Sequence, residues 1–258
     1  MNNFSDEVAA RVDGNGRDSA LQAGARSFLL ESLRTQYSYN FSWLGRPVIQ
    51  YPQDIVAMQE LIWLVQPDLI IETGIAHGGS LILSASMLEL NAACGGNPDA
   101  RVLGIDIDIR PHNRAAIIAH PMSRRIDMIQ GSSIAPDVID KVKAHAGGRQ
   151  RVLVCLDSNH THDHVLAELE AYAPLATADS YCIVFDTVVE DIPKALSGDR
   201  PWGPGDNPKT AVHEYLRRVA TEGRTAADGR PLRFEIDKSV ENKLLVTVAP
   251  DGYLRRVA

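Results

Sequence analysis

Four stretches of the chain end an apolar run with residues able to do chemistry: Glu72-Thr-Gly-Ile-Ala-His-Gly-Gly-Ser80, Gly104-Ile-Asp106-Ile-Asp108, Leu156-Asp157-Ser-Asn-His160-Thr-His162-Asp163-His164, and Phe185-Asp186. If Asp157 and Asp186 close neighbouring strands, they face one crevice and offer oxygen ligands to Mg²⁺, an ion that keeps several waters and needs few protein groups. Such an ion can chelate vicinal hydroxyls and lower the pKa of the one that reacts. His160 lies just beyond Asp157, and an imidazole that titrates near neutrality is the expected proton acceptor. His162 and His164 stand at a helix start and are expected to be solvated. A zinc site is disfavoured because this run contains no cysteine.

The first stretch reads as a strand, a glycine turn and a helix start. A dinucleotide site wants Gly-x-Gly-x-x-Gly with the pyrophosphate on the helix N-terminus. Here the glycines are Gly74, Gly78 and Gly79, and Ala76 stands where the backbone would have to approach the pyrophosphate. No Gly-Lys-Ser/Thr follows, which excludes a P-loop. What remains is a turn with an acid, Glu72, at the strand end, and S-adenosylmethionine has groups to match. Its ammonium suits Glu72, its carboxylate suits the backbone N–H groups of Gly78, Gly79 and Ser80, and its ribose hydroxyls suit Asp106. The expected cofactor set is Glu72, Gly74, His77, Gly78, Ser80, Asp106, Ser132 and Asp157. Each member also has a plainer reading: Ser80 as a helix N-cap, Gly74 as a turn residue, Asp106 and Asp108 as solvated acids. Their order at successive strand ends favours the cofactor.

These residues meet only if the elements behind them are laid out in one sheet. The runs Leu69–Glu72, Val102–Ile105, Ile126–Ile129, Val152–Leu156 and Tyr181–Phe185 are short and nearly continuously apolar, as strands buried on both faces are. Helices are expected between them near 79–94, 111–119, 136–146 and 162–173, and this alternation implies right-handed βαβ units in a parallel sheet. Pro52–Val65 and 209–222 read as further helices, 186–207 as loop, and Leu232–Ile236 with Lys243–Val248 as an antiparallel pair at the sheet edge. The fold class is α/β: a Rossmann-like class I methyltransferase plan, with a mostly parallel seven-stranded sheet and helices on both faces. Residues 1–50 read as an N-terminal extension, polar and frayed to about residue 18 and helical over Leu21–Tyr37, and residues 51–258 as the main domain.

The bulk numbers agree with this plan. A chain of 258 residues, 45% hydrophobic, can bury one large core without disulfides. The formal charge of −7 argues against a nucleic-acid partner and leaves a small-molecule hydroxylated acceptor as the expected one. Cys94, Cys155 and Cys182 form no Cys-x-x-Cys pair and are expected to be buried, reduced thiols. With no basic leader region and no apolar run of membrane-spanning length, a soluble cytoplasmic protein with no membrane partner is expected.

The motifs above, with Trp202-Gly-Pro-Gly-Asp-Asn-Pro208 and the ending Lys243-Leu-Leu-Val-Thr-Val-Ala-Pro-Asp-Gly-Tyr-Leu-Arg-Arg-Val257, resemble the cephalosporin hydroxylase/rhamnosyl O-methyltransferase family from Trp43 to the C-terminus. The resemblance implies a class I S-adenosylmethionine-dependent fold, Mg²⁺-assisted methyl transfer to a hydroxyl, and a homo-oligomer. It makes the expected acceptor a deoxysugar or a glycosylated specialised metabolite, such as an antibiotic intermediate. Hydroxylation by a non-haem iron site is discounted, because none of the eight histidines is followed two positions later by an acid. One departure matters. The family pattern leads us to expect an acid-acid pair where this chain has Phe185-Asp186, so either Glu190 or Asp191 completes the metal set with Asp157 and Asp186, or waters take the missing place, or metal dependence is lost. Phe185 either stacks on the acceptor or belongs to the core. Trp202, on a Pro/Gly loop long enough to cover the crevice, and Gln50 are the other expected acceptor contacts. The competing function is a methyltransferase-like fold that binds the cofactor without transferring methyl.

Overall fold

In a computed structural model, residues 4–257 are described, and they run α1 (Phe4–Arg17), α2 (Ser19–Arg34), β1 (Phe41–Trp43), β2 (Arg46–Val48), α3 (Pro52–Val65), β3 (Leu69–Thr73), α4 (Gly79–Ala93), β4 (Arg101–Asp106), α5 (Pro111–Ile118), β5 (Ile126–Gln130), α6 (Pro136–Ala146), β6 (Val152–Leu156), α7 (His162–Tyr172), β7 (Tyr181–Val184), α8 (Lys194–Ser197), α9 (Pro208–Glu222), β8 (Phe234–Ile236), α10 (Lys238–Leu244) and β9 (Tyr253–Arg256). The main sheet has seven strands in the order β5-β4-β3-β6-β7-β9-β8. The first five are parallel, and β9 lies antiparallel to both β7 and β8.

Every residue of β3, β6 and β7 is buried, which is why their sequences run apolar without alternation. Two clusters fill the two faces. One joins Ile70, Leu81, Ile82, Leu153 and Ile183 to α3 and α4; the other joins Leu69, Ile71, Val154 and Cys182 to α7 and α9. Strand order reverses between β3 and β6: β4 and β5 extend the sheet on one side, and β7 on the other. In an open α/β sheet the ligand crevice lies at that reversal, beyond the carboxyl ends of the strands.

Two expectations for the flanks are corrected, one element there is new, and Cys94, expected to be buried, is exposed. Residues 4–17 form a helix rather than a frayed segment. No residue of α1 is buried, but Asn15 donates to the Asn242 carbonyl of α10 at 3.4 Å, and Asp18 caps α2 by accepting from Ala20 and Leu21, each at 3.0 Å. Gly14, Asn15 and Gly16 hide this helix from a propensity reading. A hairpin, β1–β2, turns through Leu44 (φ 45°) and Gly45 (φ 84°), the left-handed pair that a two-residue hairpin needs. The second terminal strand is β9, not Lys243–Val248, whose start is helical in α10.

Asp54 explains where the apolar run 244–248 goes. It is fully buried in the first turn of α3, and it accepts hydrogen bonds from the Thr247 hydroxyl, the Val248 N–H at 3.0 Å and the Tyr253 hydroxyl at 2.8 Å. One carboxylate thereby ties the segment after α10 and the start of β9 to a helix about 200 residues earlier. Burial pushes its pKa up to about 6 against the pull of those three donors. Among the described residues, no helix is long and apolar enough to cross a membrane.

Asp54→Ala should destabilise the fold by about 2–4 kcal/mol, because it strands three buried donors. Urea denaturation measures it, and an unchanged midpoint would show that this anchor is dispensable.

Candidate active site

The turn after β3 is shaped by how closely two backbones approach. Gly74 has φ 90°, and a Cβ there would stand 2.0 Å from the Asp157 carbonyl oxygen. Only glycine fits, and its absent side chain brings the β3 end against the β6 end. Gly78, at φ 83°, is the N-cap of α4. Ser80 is therefore not the cap: its hydroxyl donates to Glu72 Oε1. Glu72 is buried, and desolvation raises its pKa from 4.5 to about 7 against the lowering effect of Ser80. The backbone of His77 is fixed by Arg46, whose Nε donates to its carbonyl at 3.0 Å.

Asp106 organises this turn. Its Oδ2 accepts from Ile75 N–H at 2.8 Å and Ala76 N–H at 3.2 Å, and its Oδ1 accepts from Asp108 N–H at 3.0 Å. Beyond it lies a hollow of about 120 Å³ lined by Gly74, Asp106, Ser132, Ser158, Asn159 and His164. His164 is not solvated: its Nε2 sits 3.1 Å from Ser133 Oγ and 3.2 Å from Ser158 Oγ, and Ser158 donates to the buried Glu168 at 2.6 Å. His162 is likewise engaged, with Nδ1 2.8 Å from Thr210 Oγ1 of α9.

At the ends of β6 and β7 the expected trio converges. One donor atom each from Asp157, His160 and Asp186 lies within 4.8 Å of the other two, and His160 Nε2 is 3.2 Å from Asp186 Oδ2. Asp186 reaches inward from a left-handed position, φ 55°. The Trp202 ring meets the His160 ring edge-on, with centroids 4.8 Å apart, and the Arg200 guanidinium lies over the Trp202 ring, 5.6 Å from its centroid. Burial and the neighbouring carboxylates Asp186 and Glu72 hold the Asp157 carboxyl well above its ordinary range. This crevice gathers negative charge and calls for a cation.

Residues 35–257 match the model of the family described as rhamnosyl O-methyltransferase/CmcI. The chain belongs to the rhamnosyl O-methyltransferase/CmcI family. That membership bears out the expected enzyme class, S-adenosylmethionine-dependent O-methyltransferase. A protein named rhamnosyl O-methyltransferase from Mycobacterium tuberculosis is 29% identical over 209 residues, which are 79% of this chain and 73% of that one. Among solved structures, apo CmcI matches with a TM-score of 0.57 at 21% identity over 85% of this chain and 77% of its own. CmcI with Mg and SAM matches with 0.55 at 19% identity over 85% and 78%. These neighbours bear out the class I methyltransferase fold.

Against the rhamnosyl O-methyltransferase/CmcI pattern, two expected site residues are corrected. Phe185 is only 4% exposed and packs in the core cluster with Tyr51 and Val188, so it does not stack on an acceptor. Glu190 is not in the donor cluster: its Oε2 accepts from Gly205 N–H at 2.7 Å and from the Asn207 side-chain amide, latching the Pro/Gly loop. Asp191 is no substitute, since it takes Lys209 Nζ at 2.5 Å. Gln50 is buried, and its Oε1 has no hydrogen-bond partner among the described residues. The residues that sequence reasoning missed are Asp54 and the Ser158–Glu168–His164 group. The i,i+4 spacing of His164 and Glu168 on α7 was the signal for the second.

The raised pKa of Glu72 gives a pH dependence. A carboxyl whose folded pKa lies above its unfolded one stabilises fully below about 4.5 and loses that contribution as pH rises through about 7. Cofactor-free protein should therefore lose stability across that window, by at most about 3 kcal/mol from Glu72. Glu72→Gln should flatten this part of the curve in urea titrations at pH 5 and 8, with Asp54 supplying a residual slope of the same sign. An unaltered slope would contradict the assignment.

Proposed function

We propose that this protein transfers the methyl group of S-adenosylmethionine to a hydroxyl of a deoxysugar or glycosylated small molecule, using the crevice between Glu72, Asp106, Asp157, His160, Asp186 and Trp202. The observation that carries this reading is the meeting of Asp157, His160 and Asp186 beside a glycine turn that has no dinucleotide fingerprint. The names of the relatives, which act on rhamnosyl groups, and the CmcI structure with Mg and SAM point the same way.

Glu72, buried and accepting from the Ser80 hydroxyl, serves the cofactor's ammonium. The N–H groups at the start of α4 serve its carboxylate. Asp106 keeps the turn in shape while its half-exposed carboxylate faces the hollow where ribose and base would lie. Methyl transfer is an in-line displacement, so most of the protein's task is to align acceptor oxygen, methyl carbon and sulfur. Trp202 offers a flat apolar face at the acceptor side, suited to a sugar ring.

Asp157, His160 and Asp186 fit a divalent cation by charge and by donor spacing. Bound there, such an ion would polarise the acceptor hydroxyl and lower its pKa. The expected base, His160, turns Nε2 into the cluster, so holding a cation and taking a proton compete for one ring nitrogen. The rival reading, cofactor binding without methyl transfer, drew on Phe185. With that ring in the core and three donors still convergent, Phe185 gives it no support.

Asp157→Asn and Asp186→Asn should each lower formation of S-adenosylhomocysteine with a rhamnose-bearing acceptor by at least about 100-fold, with circular dichroism unchanged. Calorimetry should show S-adenosylmethionine bound by the parent chain and lost in Gly74→Val. Full turnover in both Asn variants, or no cofactor binding by the parent, would refute the reading.

A further inference from the structure

The donor set at this site goes beyond what Mg²⁺ needs, because a hard ion that keeps several waters is held by one or two carboxylates and gains little from a nitrogen. Oxygen donors near the crevice are few. Glu190 latches the loop, Asp191 pairs with Lys209, Glu72 holds Ser80, and Asp106 is committed to the turn amides. Phe185 fills the place where the family resemblance leads us to expect a carboxylate, and it lies in the core. Two carboxylates remain, and the third donor among the described residues is a nitrogen, His160 Nε2, already 3.2 Å from Asp186 Oδ2.

Two further observations point to a cation held through that nitrogen. Among the described residues the Asp157 side chain makes no hydrogen bond, while its carboxylate lies in the donor cluster. The His160 ring is also held in place by the Trp202 edge at 4.8 Å, as a ligand must be to act without reorganising.

Resting on the methyltransferase reading for its setting, we infer that this site takes a divalent transition-metal ion through Asp157, Asp186 and His160 Nε2, in place of an all-oxygen Mg²⁺ site. Imidazole suits the first-row transition ions, whose affinity rises toward the later members of the series, and adds little for Mg²⁺. In the metal-bound protein His160 is then a ligand, and its Nε2 is not free to accept a proton.

The test uses the full chain and the metals alone. Spin-echo modulation of bound Mn²⁺ should show a directly coordinated ¹⁴N, which disappears in His160→Asn. Calorimetry should show Co²⁺ binding more tightly than Mg²⁺. His160→Asn, which keeps a neutral oxygen donor, should weaken Co²⁺ by at least about tenfold and Mg²⁺ by less than about threefold. Absence of nitrogen modulation in the parent protein overturns the inference, whatever the variant does. An equal loss for both metals overturns it too. If the nitrogen signal is present but no S-adenosylmethionine binds and no methyl is transferred, the metal assignment stands and the methyltransferase reading fails.

Discussion

The contact on which this structure depends is the one between the α-carbon of Gly74 and the carbonyl of Asp157. A side chain at position 74 would collide with it, so the turn leaving β3 and the loop leaving β6 can be neighbours only through glycine. The pair also marks where strand order reverses. Because of it, Glu72 at the end of β3 and the cluster acid Asp157 at the end of β6 lie at one crevice instead of two.

That closeness has an electrostatic cost. Burial first, and then the carboxylates Asp186, Glu72 and Glu168, raise the Asp157 pKa, while arginines and lysines pair elsewhere, as Arg125 does with Glu89 and Arg218 with Glu214. Charges brought together out of water without counter-charges resist ionisation. The crevice is thus prepared for positive partners: a sulfonium, an ammonium and a divalent ion each relieve part of the strain. Selectivity for such ligands comes from carboxyls already gathered there, which ionise as a cation arrives, ahead of any shape matching.

Much of this was legible in the residues, and the reasons differ by element. The five parallel strands announced themselves because burial on both faces leaves no polar alternation, and the acids at their ends stood out against that background. Asp157, His160 and Asp186 were legible for the same reason. What was hidden depends on distant contacts. Helix α1 is held by α10, more than 200 residues away, against its own glycines. The run at 244–248 looked like a strand because it is apolar, yet Asp54 claims its backbone and side chain, and the strand forms later. Glu190 reads as a ligand in the sequence because it is acidic and near, whereas its partner Asn207 meets it only in three dimensions.

The Glu190–Asn207 contact joins the loop's entry to its exit. Asn207 is fully buried, caps α9 through Lys209 and Thr210, and donates to the Gly203 carbonyl. Residues 191–206 therefore form a closed ornament with this contact as its clasp, tied further by Lys209 on Asp191 and by the His162 N–H on Asp206, and it brings Trp202 against the His160 ring. Acceptor preference can then diverge by redrawing the ornament alone, and natural or designed changes of substrate in such chains should keep the clasp and vary what hangs from it.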